Sequence, residues 1–226
     1  MGVFCVLEGV DGTGKSHLAK AICKHVDELG LTNTVVAPKD DPIELSSFWA
    51  NDRLRRMHRL TWSYDHEEPV WTYSRQYWLF SLLAWYTLFH EQYVAPQLAA
   101  GRTVVTDGWY FKHQARFHLS GDEQFKTLAD YTLRTLPQPD VVILLDAPLT
   151  QIAERKEGMS KPSEHGAFDK GVRVADGGSF LDYQHRSHVA LRQILEKHPS
   201  VLCTFTAPSE PEAVVAALAT LQSGSQ

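Results

Sequence analysis

Apolar residues recur along the chain in two rhythms. Short runs rich in β-branched residues stand at 3–7 (Val3-Phe4-Cys5-Val6-Leu7), 34–37, 103–106, 141–145 and 201–206. Such a run reads as a strand buried on both faces. Between the runs, apolar positions fall at helical spacing. After the first run these are Leu18, Ala19, Ile22, Val26 and Leu29, with Gly30 as a stop. The pattern predicts helices over 15–29, 42–60, 68–99, 122–135, 149–157, 179–198 and 210–222. Pro96 is expected to end or kink the long 68–99 segment, because proline has no N–H for the helical ladder. Strands alternating with helices predict an α/β domain whose parallel sheet is covered on both faces.

The link between the first run and the first helix is Gly9-Val10-Asp11-Gly12-Thr13-Gly14-Lys15-Ser16. It matches G-x-x-x-x-G-K-[ST], the phosphate-binding P-loop, and it has the strand and helix that the motif requires. Its glycines let backbone N–H groups close around a phosphate without Cβ clashes. Lys15 reaches β- and γ-phosphates, and the Ser16 hydroxyl suits Mg²⁺. ATP and Mg²⁺ are therefore the expected cofactors, with Gly9, Asp11, Gly12, Thr13, Gly14, Lys15, Ser16 and His17 as candidate contacts. Asp107 ends the run Thr103-Val104-Val105-Thr106. Carboxyl ends of strands are where ligands sit in open α/β sheets, so Asp107 reads as a Mg²⁺ contact, direct or through water, or else as a turn or helix cap. Asp146-Ala147-Pro148 reads instead as helix-start chemistry.

The stretch 158–178 is rich in glycine and poor in large apolar residues, and it carries Lys161, His165, Lys170 and Arg173, with Lys156 at its edge. Two readings stand: a solvated surface loop, or a lid around 156–178 that closes over phosphates. Kinases need such a flap because water in the site would accept the phosphoryl group.

Composition narrows the classes. The 226 residues, 43% apolar and 22% charged, fit a single domain over 1–226. A net charge of −5 argues against a general nucleic-acid binder, though not against a local basic pocket. Cys5, Cys23 and Cys203 read as buried thiols of a reducing, cytoplasmic compartment. No secretory signal is visible. The longest apolar stretch, 77–89, is too short for a bilayer and reads as a buried helix. The last four residues, 223–226, are expected to fray.

Glu8 to Ser16 resembles the opening of thymidylate kinases, the P-loop enzymes that pass the ATP γ-phosphate to dTMP. Three further stretches fall in the family's order: Val104 to Tyr110 with Gln114-Ala115 after it, Pro139 to Pro148 with Arg155 beyond, and Ser179 to Arg186. The resemblance implies a P-loop NTPase three-layer fold with sheet order 2-3-1-4-5, a lid, and a homodimer. It implies a small-molecule nucleotide acceptor and neither nucleic acid nor membrane as partner. Because position 12 is Gly rather than Arg, the resemblance moves the catalytic cation to the lid, to Arg155, Lys161 or Arg173. Arg155 reads equally as a contact to the donor adenine or as a cation meeting its helix dipole.

The acceptor side departs from the family. Its Asp-Arg pair is Asp107-Gly108, and its Arg-Glu-Pro stretch is Pro38-Lys39-Asp40-Asp41-Pro42. Its thymine-contacting arginine falls on Tyr86 and its stacking phenylalanine on Leu82, unless a shifted alignment brings Arg75 and Phe80 there. Lys39 keeps one charge without the bidentate fork. The resemblance thus gives Asp11, Lys39, Leu82, Tyr86, Trp109, His113, Gln114 and Arg116 as acceptor contacts, while Trp78 and Trp85 read as core. Lys112 and Arg116 stand four apart, either restoring the charge lost at Gly108 or forming a solvated face.

Three functions follow. The first is a Mg²⁺-dependent kinase for a nucleoside monophosphate, a pyrimidine deoxynucleotide that is dTMP-like or modified. The second is a kinase for a nucleoside or other hydroxyl acceptor, with Glu8 or Asp107 as base. The third is a nucleotide-binding protein without catalysis.

Overall fold

In the computed structural model the five apolar runs become β1 (Phe4–Glu8), β2 (Thr34–Ala37), β3 (Thr103–Asp107), β4 (Val141–Asp146) and β5 (Val201–Thr206). They pair in parallel, in the order β2-β3-β1-β4-β5. The structure describes residues 2–24, 26–28, 31, 33–37, 45, 47–63, 67–156, 161–166, 180–206 and 211–223. Gly30, the 38–42 stretch, most of the lid and residues 224–226 lie outside them.

The helices are α1 (Lys15–Lys24), α2 (Phe48–Trp62), α3 (Arg75–Phe89), α4 (Ala95–Ala99), α5 (Phe111–His118), α6 (Glu123–Leu133), α7 (Leu149–Lys156), α8 (Phe180–Leu195) and α9 (Pro211–Ser223). Alternate residues of each strand feed opposite faces of the sheet. Cys5, Leu7, Val105, Ile143 and Leu145 pack with Leu18, Ala19 and Ile22 of α1 and with Val214 and Val215 of α9. Phe4, Val6, Val104, Val142 and Leu144 face α3, α5, α6 and α8. The result is the three-layer P-loop fold.

Three expectations need correction, and a fourth is narrowed. The 68–99 segment is not one helix. A 3₁₀ turn at Val70–Thr72 precedes α3, which Ser74 caps by accepting the Tyr77 N–H at 3.1 Å. Of the two outcomes expected at Pro96, the segment does not end there but is irregular just before it. A π turn at His90–Val94 comes first, and the Ala95 N–H bonds back to the His90 carbonyl. Pro96 then stands in the first turn of α4, where no donor is required. Helix α1 stops at Lys24, short of residue 29. Of the cysteines only Cys5 is buried; Cys23 is exposed and Cys203 half-buried.

Helix α5 has no counterpart among the predicted segments. It is short, and it buries the polar Gln114 and Arg116 together with Phe111, Ala115 and Phe117, so its buried face is not marked by apolar residues alone. The apolar stretch 77–89 lies within α3, burying Trp78, Leu79, Leu82, Trp85, Tyr86 and Phe89. Among the described residues no helix is long and apolar enough to cross a membrane.

Candidate active site

The P-loop leaves β1 at the centre of the sheet and runs into α1. Gly12 has a φ of +85°, and a Cβ there would stand 3.0 Å from Ile152 Cγ2 of α7. The packing of α7 against the loop is thus the physical reason that position 12 has no side chain. Lys15 lies across the loop, its Nζ donating to the carbonyls of Gly9 at 2.8 Å and Val10 at 2.9 Å. Burial, with Lys112 nearby, pushes the Lys15 amine down to about 8 against the opposing pull of Asp11, Asp107 and Glu8.

Two carboxylates close the carboxyl ends of β1 and β3, where Leu7 pairs with Asp107. Glu8 is 1% exposed; its Oε1 accepts the Trp109 N–H at 2.9 Å. Burial pushes its carboxyl up to about 7, although Lys15 and the Trp109 N–H draw it down. Glu8 Oε2 and Asp107 Oδ2 are buried and accept no hydrogen bond from the described residues. They line the same cavity as Ser16. A hydroxyl and two carboxylate oxygens left over suit a hard cation such as Mg²⁺. Among the described residues no three His, Cys, Asp or Glu groups could hold a metal ion. Mg²⁺ held jointly with substrate phosphates does not require such a cage.

Asp11 is the third acidic group. Lys112 Nζ donates to its Oδ1 at 2.7 Å, and Arg116 Nη2 donates to its Oδ2. Burial alone would raise the Asp11 carboxyl, but Arg116, Lys112 and Lys15 outweigh it and hold the group well below the usual carboxylate range. Both cations are largely buried, so the solvated-face reading of Lys112 and Arg116 is overturned.

These groups face a cavity of about 610 Å³. Asp11, Gly12, Gly14, Lys15, Ser16 and His17 form its floor, and Asp107, Gly108, Lys112, His113 and Arg116 one side. Leu82, Tyr86 and Trp78 of α3 line the far wall with His58, Thr61 and Trp62 of α2. The Trp62 and His113 rings lie 5.0 Å apart. Tyr86 donates its hydroxyl to the Trp109 carbonyl at 2.8 Å, and burial holds that hydroxyl's pKa well above the ordinary value. Arg75 and Phe80 do not line the cavity: Arg75 pairs with Asp122 at 3.4 Å, and Phe80 is exposed. Leu82 and Tyr86 line the cavity in their place.

One acceptor candidate, Gln114, is corrected, and the Trp109 ring is largely core. Gln114 turns away from the cavity and donates to Asp130 Oδ1 at 2.7 Å, because its position on α5 faces α6. The Trp109 indole is core rather than contact surface. It meets Phe4 edge-on at 5.2 Å and donates Nε1–H to the Pro137 carbonyl at 3.2 Å. The residue nonetheless lines the cavity.

On the lid side, Lys161 lines the cavity, and its Nζ donates to the Trp62 carbonyl at 3.0 Å. Glu164 takes Lys156 Nζ at 2.8 Å, and Gln184 of α8 donates to the Glu164 carbonyl at 2.7 Å. Ser163 and Glu164 are buried, so residues 161–166 are not a solvated loop. Arg155 reaches the Gly12 carbonyl at 3.3 Å from the outer side of the P-loop and does not line the cavity. Lys39 and Arg173 lie outside the described residues. Sequence reasoning missed His58, Thr61, Trp62, Ser63 and Lys156 as cavity residues. Of these only Lys156 had a signal, its place at the edge of a basic lid.

No protein-family model matches the chain. Among curated proteins, it is 27% identical over 174 residues to the probable thymidylate kinase of Thermococcus gammatolerans, covering 77% of this chain and 78% of that one. It is 26% identical over 205 residues to the thymidylate kinase of Idiomarina loihiensis, covering 89% and 87%. The chain thus resembles thymidylate kinases over most of its length. Solved structures agree in fold. Thymidylate kinase from Ehrlichia chaffeensis superposes with a TM-score of 0.55 over 98% of each chain, and that from Candida albicans with 0.62 over 99% and 92%, both at 15% identity.

Within this thymidylate kinase-like frame, Gly108 is the departure with the clearest local cause. Its φ is +88°, and the nearest atom to a Cβ would be the Leu7 carbonyl oxygen at 3.9 Å. Space is available, but the left-handed backbone disfavours any side chain, an arginine included.

Proposed function

We propose that this kinase passes the γ-phosphate of Mg·ATP to a nucleoside monophosphate, with a pyrimidine deoxynucleotide, dTMP-like or modified, as acceptor. One observation carries the reading: P-loop Lys15 and Ser16 share a single cavity with an aromatic wall from α2 and α3, large enough for a small ligand. The names of the curated relatives support dTMP as the type of acceptor. The loss of arginine at Tyr86 supports a base that differs from thymine in what it offers at that edge.

In this reading Lys15 leaves the Gly9 and Val10 carbonyls and takes the donor's β- and γ-phosphates. Ser16 and Asp107, with Glu8 beside them, would hold Mg²⁺, which supplies charge neutralisation between the phosphates when bound. Lys161 reaches the transferring group from the lid, and Arg155 serves the donor side past Gly12. The acceptor phosphate is already an anion, so no base is needed. Trp62, Leu82 and Tyr86 enclose the base, and the wall excludes water that would compete for the phosphoryl group.

A second reading is favoured by Glu8. A carboxyl with a pKa raised to about 7 and one oxygen that takes no hydrogen bond from the described residues suits a general base for a hydroxyl acceptor. ADP release across the common nucleoside monophosphates and their nucleosides separates the two. Pyrimidine deoxynucleoside monophosphates are expected to release ADP, and nucleosides to stay at the hydrolysis background. Activity on nucleosides alone would overturn the first reading in favour of the second. No acceptor above background would leave a nucleotide-binding protein without catalysis.

A further inference from the structure

Helix α5 begins three residues after Gly108 and carries two cations on one face, Lys112 and Arg116. Both converge on the single carboxylate of Asp11, one on each oxygen. Their side chains are 12% and 8% exposed, and Asp11's is 16%. Tying α5 to the P-loop needs one such bridge. A second buried cation on the same carboxylate adds desolvation cost with no second counter-charge from Asp11. Both cations line the cavity beside Lys15. Lys112 is close enough to Lys15 to help burial push its amine down, against the pull of Asp11, Asp107 and Glu8.

We propose that Lys112 and Arg116 are the acceptor-phosphate anchor of this kinase, with Asp11 as the counter-ion that holds the pair until the phosphate arrives. The inference rests on the monophosphate reading above and names the residues that grip its anion. It also accounts for Gly108. A glycine in the left-handed region cannot carry the cation, so the charge stands on the next helix, one and two turns on. Arg116 presents a planar fork that matches two phosphate oxygens, and Lys112 adds a point charge. The anchor flanks Lys15, which brings the acceptor oxygen beside the group being transferred.

The test is calorimetric titration of dTMP against thymidine, and dCMP against deoxycytidine, into the wild type, Lys112→Met and Lys112→Arg. The wild type is expected to bind each monophosphate more tightly than its nucleoside. Lys112→Met is expected to weaken the monophosphates by about 10- to 100-fold, as for loss of a charged hydrogen bond. It leaves the nucleosides and Mg·ATP within about threefold, and Lys112→Arg recovers most of the loss. Arg116→Lys keeps the charge and loses the fork, so it weakens the monophosphates by roughly tenfold without touching the nucleosides; it serves if Lys112→Met does not fold. Equal weakening of monophosphate and nucleoside, or no change in either, would overturn the anchor while the monophosphate reading stands. A wild type with no preference for the monophosphate would overturn both.

Discussion

Replacing Lys15 by alanine lowers turnover by roughly 10²-fold or more, the cost of deleting a preorganised charge donor at a developing negative charge. The geometry makes the loss specific to the nucleotide-bound protein rather than to the fold. Among the described residues Lys15 donates to the Gly9 and Val10 carbonyls, and its ammonium is disfavoured by burial and by Lys112. A phosphate chain supplies the counter-charge that this position lacks, so the lysine does its work once nucleotide is bound. The same reasoning spares the fold. A group whose pKa is lowered on folding binds its proton less well there than in the unfolded chain, so removing it costs the folded state little. Steady-state ADP release beside a thermal melt reads both. Near-wild-type turnover in Lys15→Ala, with an unchanged melt, would remove the lysine from the mechanism.

Replacing Trp109 by alanine destabilises the protein by about 3–5 kcal/mol, the usual range for truncating a buried tryptophan. For a chain of this size that is a fall of roughly 6–20 °C in Tm. The indole is 1% exposed and packs edge-on against Phe4 at 5.2 Å and Tyr86 at 4.6 Å. Its Nε1–H satisfies the Pro137 carbonyl, which the truncation leaves without that donor. The backbone of the same residue joins Glu8 to Tyr86, through the N–H and the carbonyl respectively. Thus the site is braced by a core residue. Paired thermal and urea melts measure the loss. A change below about 1 kcal/mol, accompanied by a raised acceptor KM, would return the indole to the acceptor site.

The strands and the P-loop were legible because their signals are local. A run buried on both faces is apolar throughout, and a loop that wraps phosphate with its own amides needs glycines at fixed spacing. The rest of the site depends on which elements meet. His58 and Trp62 reach the cavity only because α2 packs along α3, a fact that no short motif encodes. Lys112 and Arg116 had helical spacing in the sequence, yet their burial follows from Asp11, a hundred positions earlier. Gln114 fell at the family's spacing but turns elsewhere, to Asp130 on α6, while the Trp109 ring packs beside Phe4 even though the residue lines the cavity. Pro96 marked an irregularity without ending the segment: its disruption is absorbed by a π turn that begins six residues before it.

One claim stands beneath every role assigned here, that the loop from Gly9 to Ser16 holds a nucleoside triphosphate. Isothermal titration of the wild-type protein with Mg·ATP tests it most directly. The account predicts saturable one-site binding that is weakened at least tenfold in Lys15→Ala, a loss of about 1.4 kcal/mol or more. No detectable heat of binding for Mg·ATP or Mg·GTP at millimolar concentration, from protein that melts cooperatively, would contradict it.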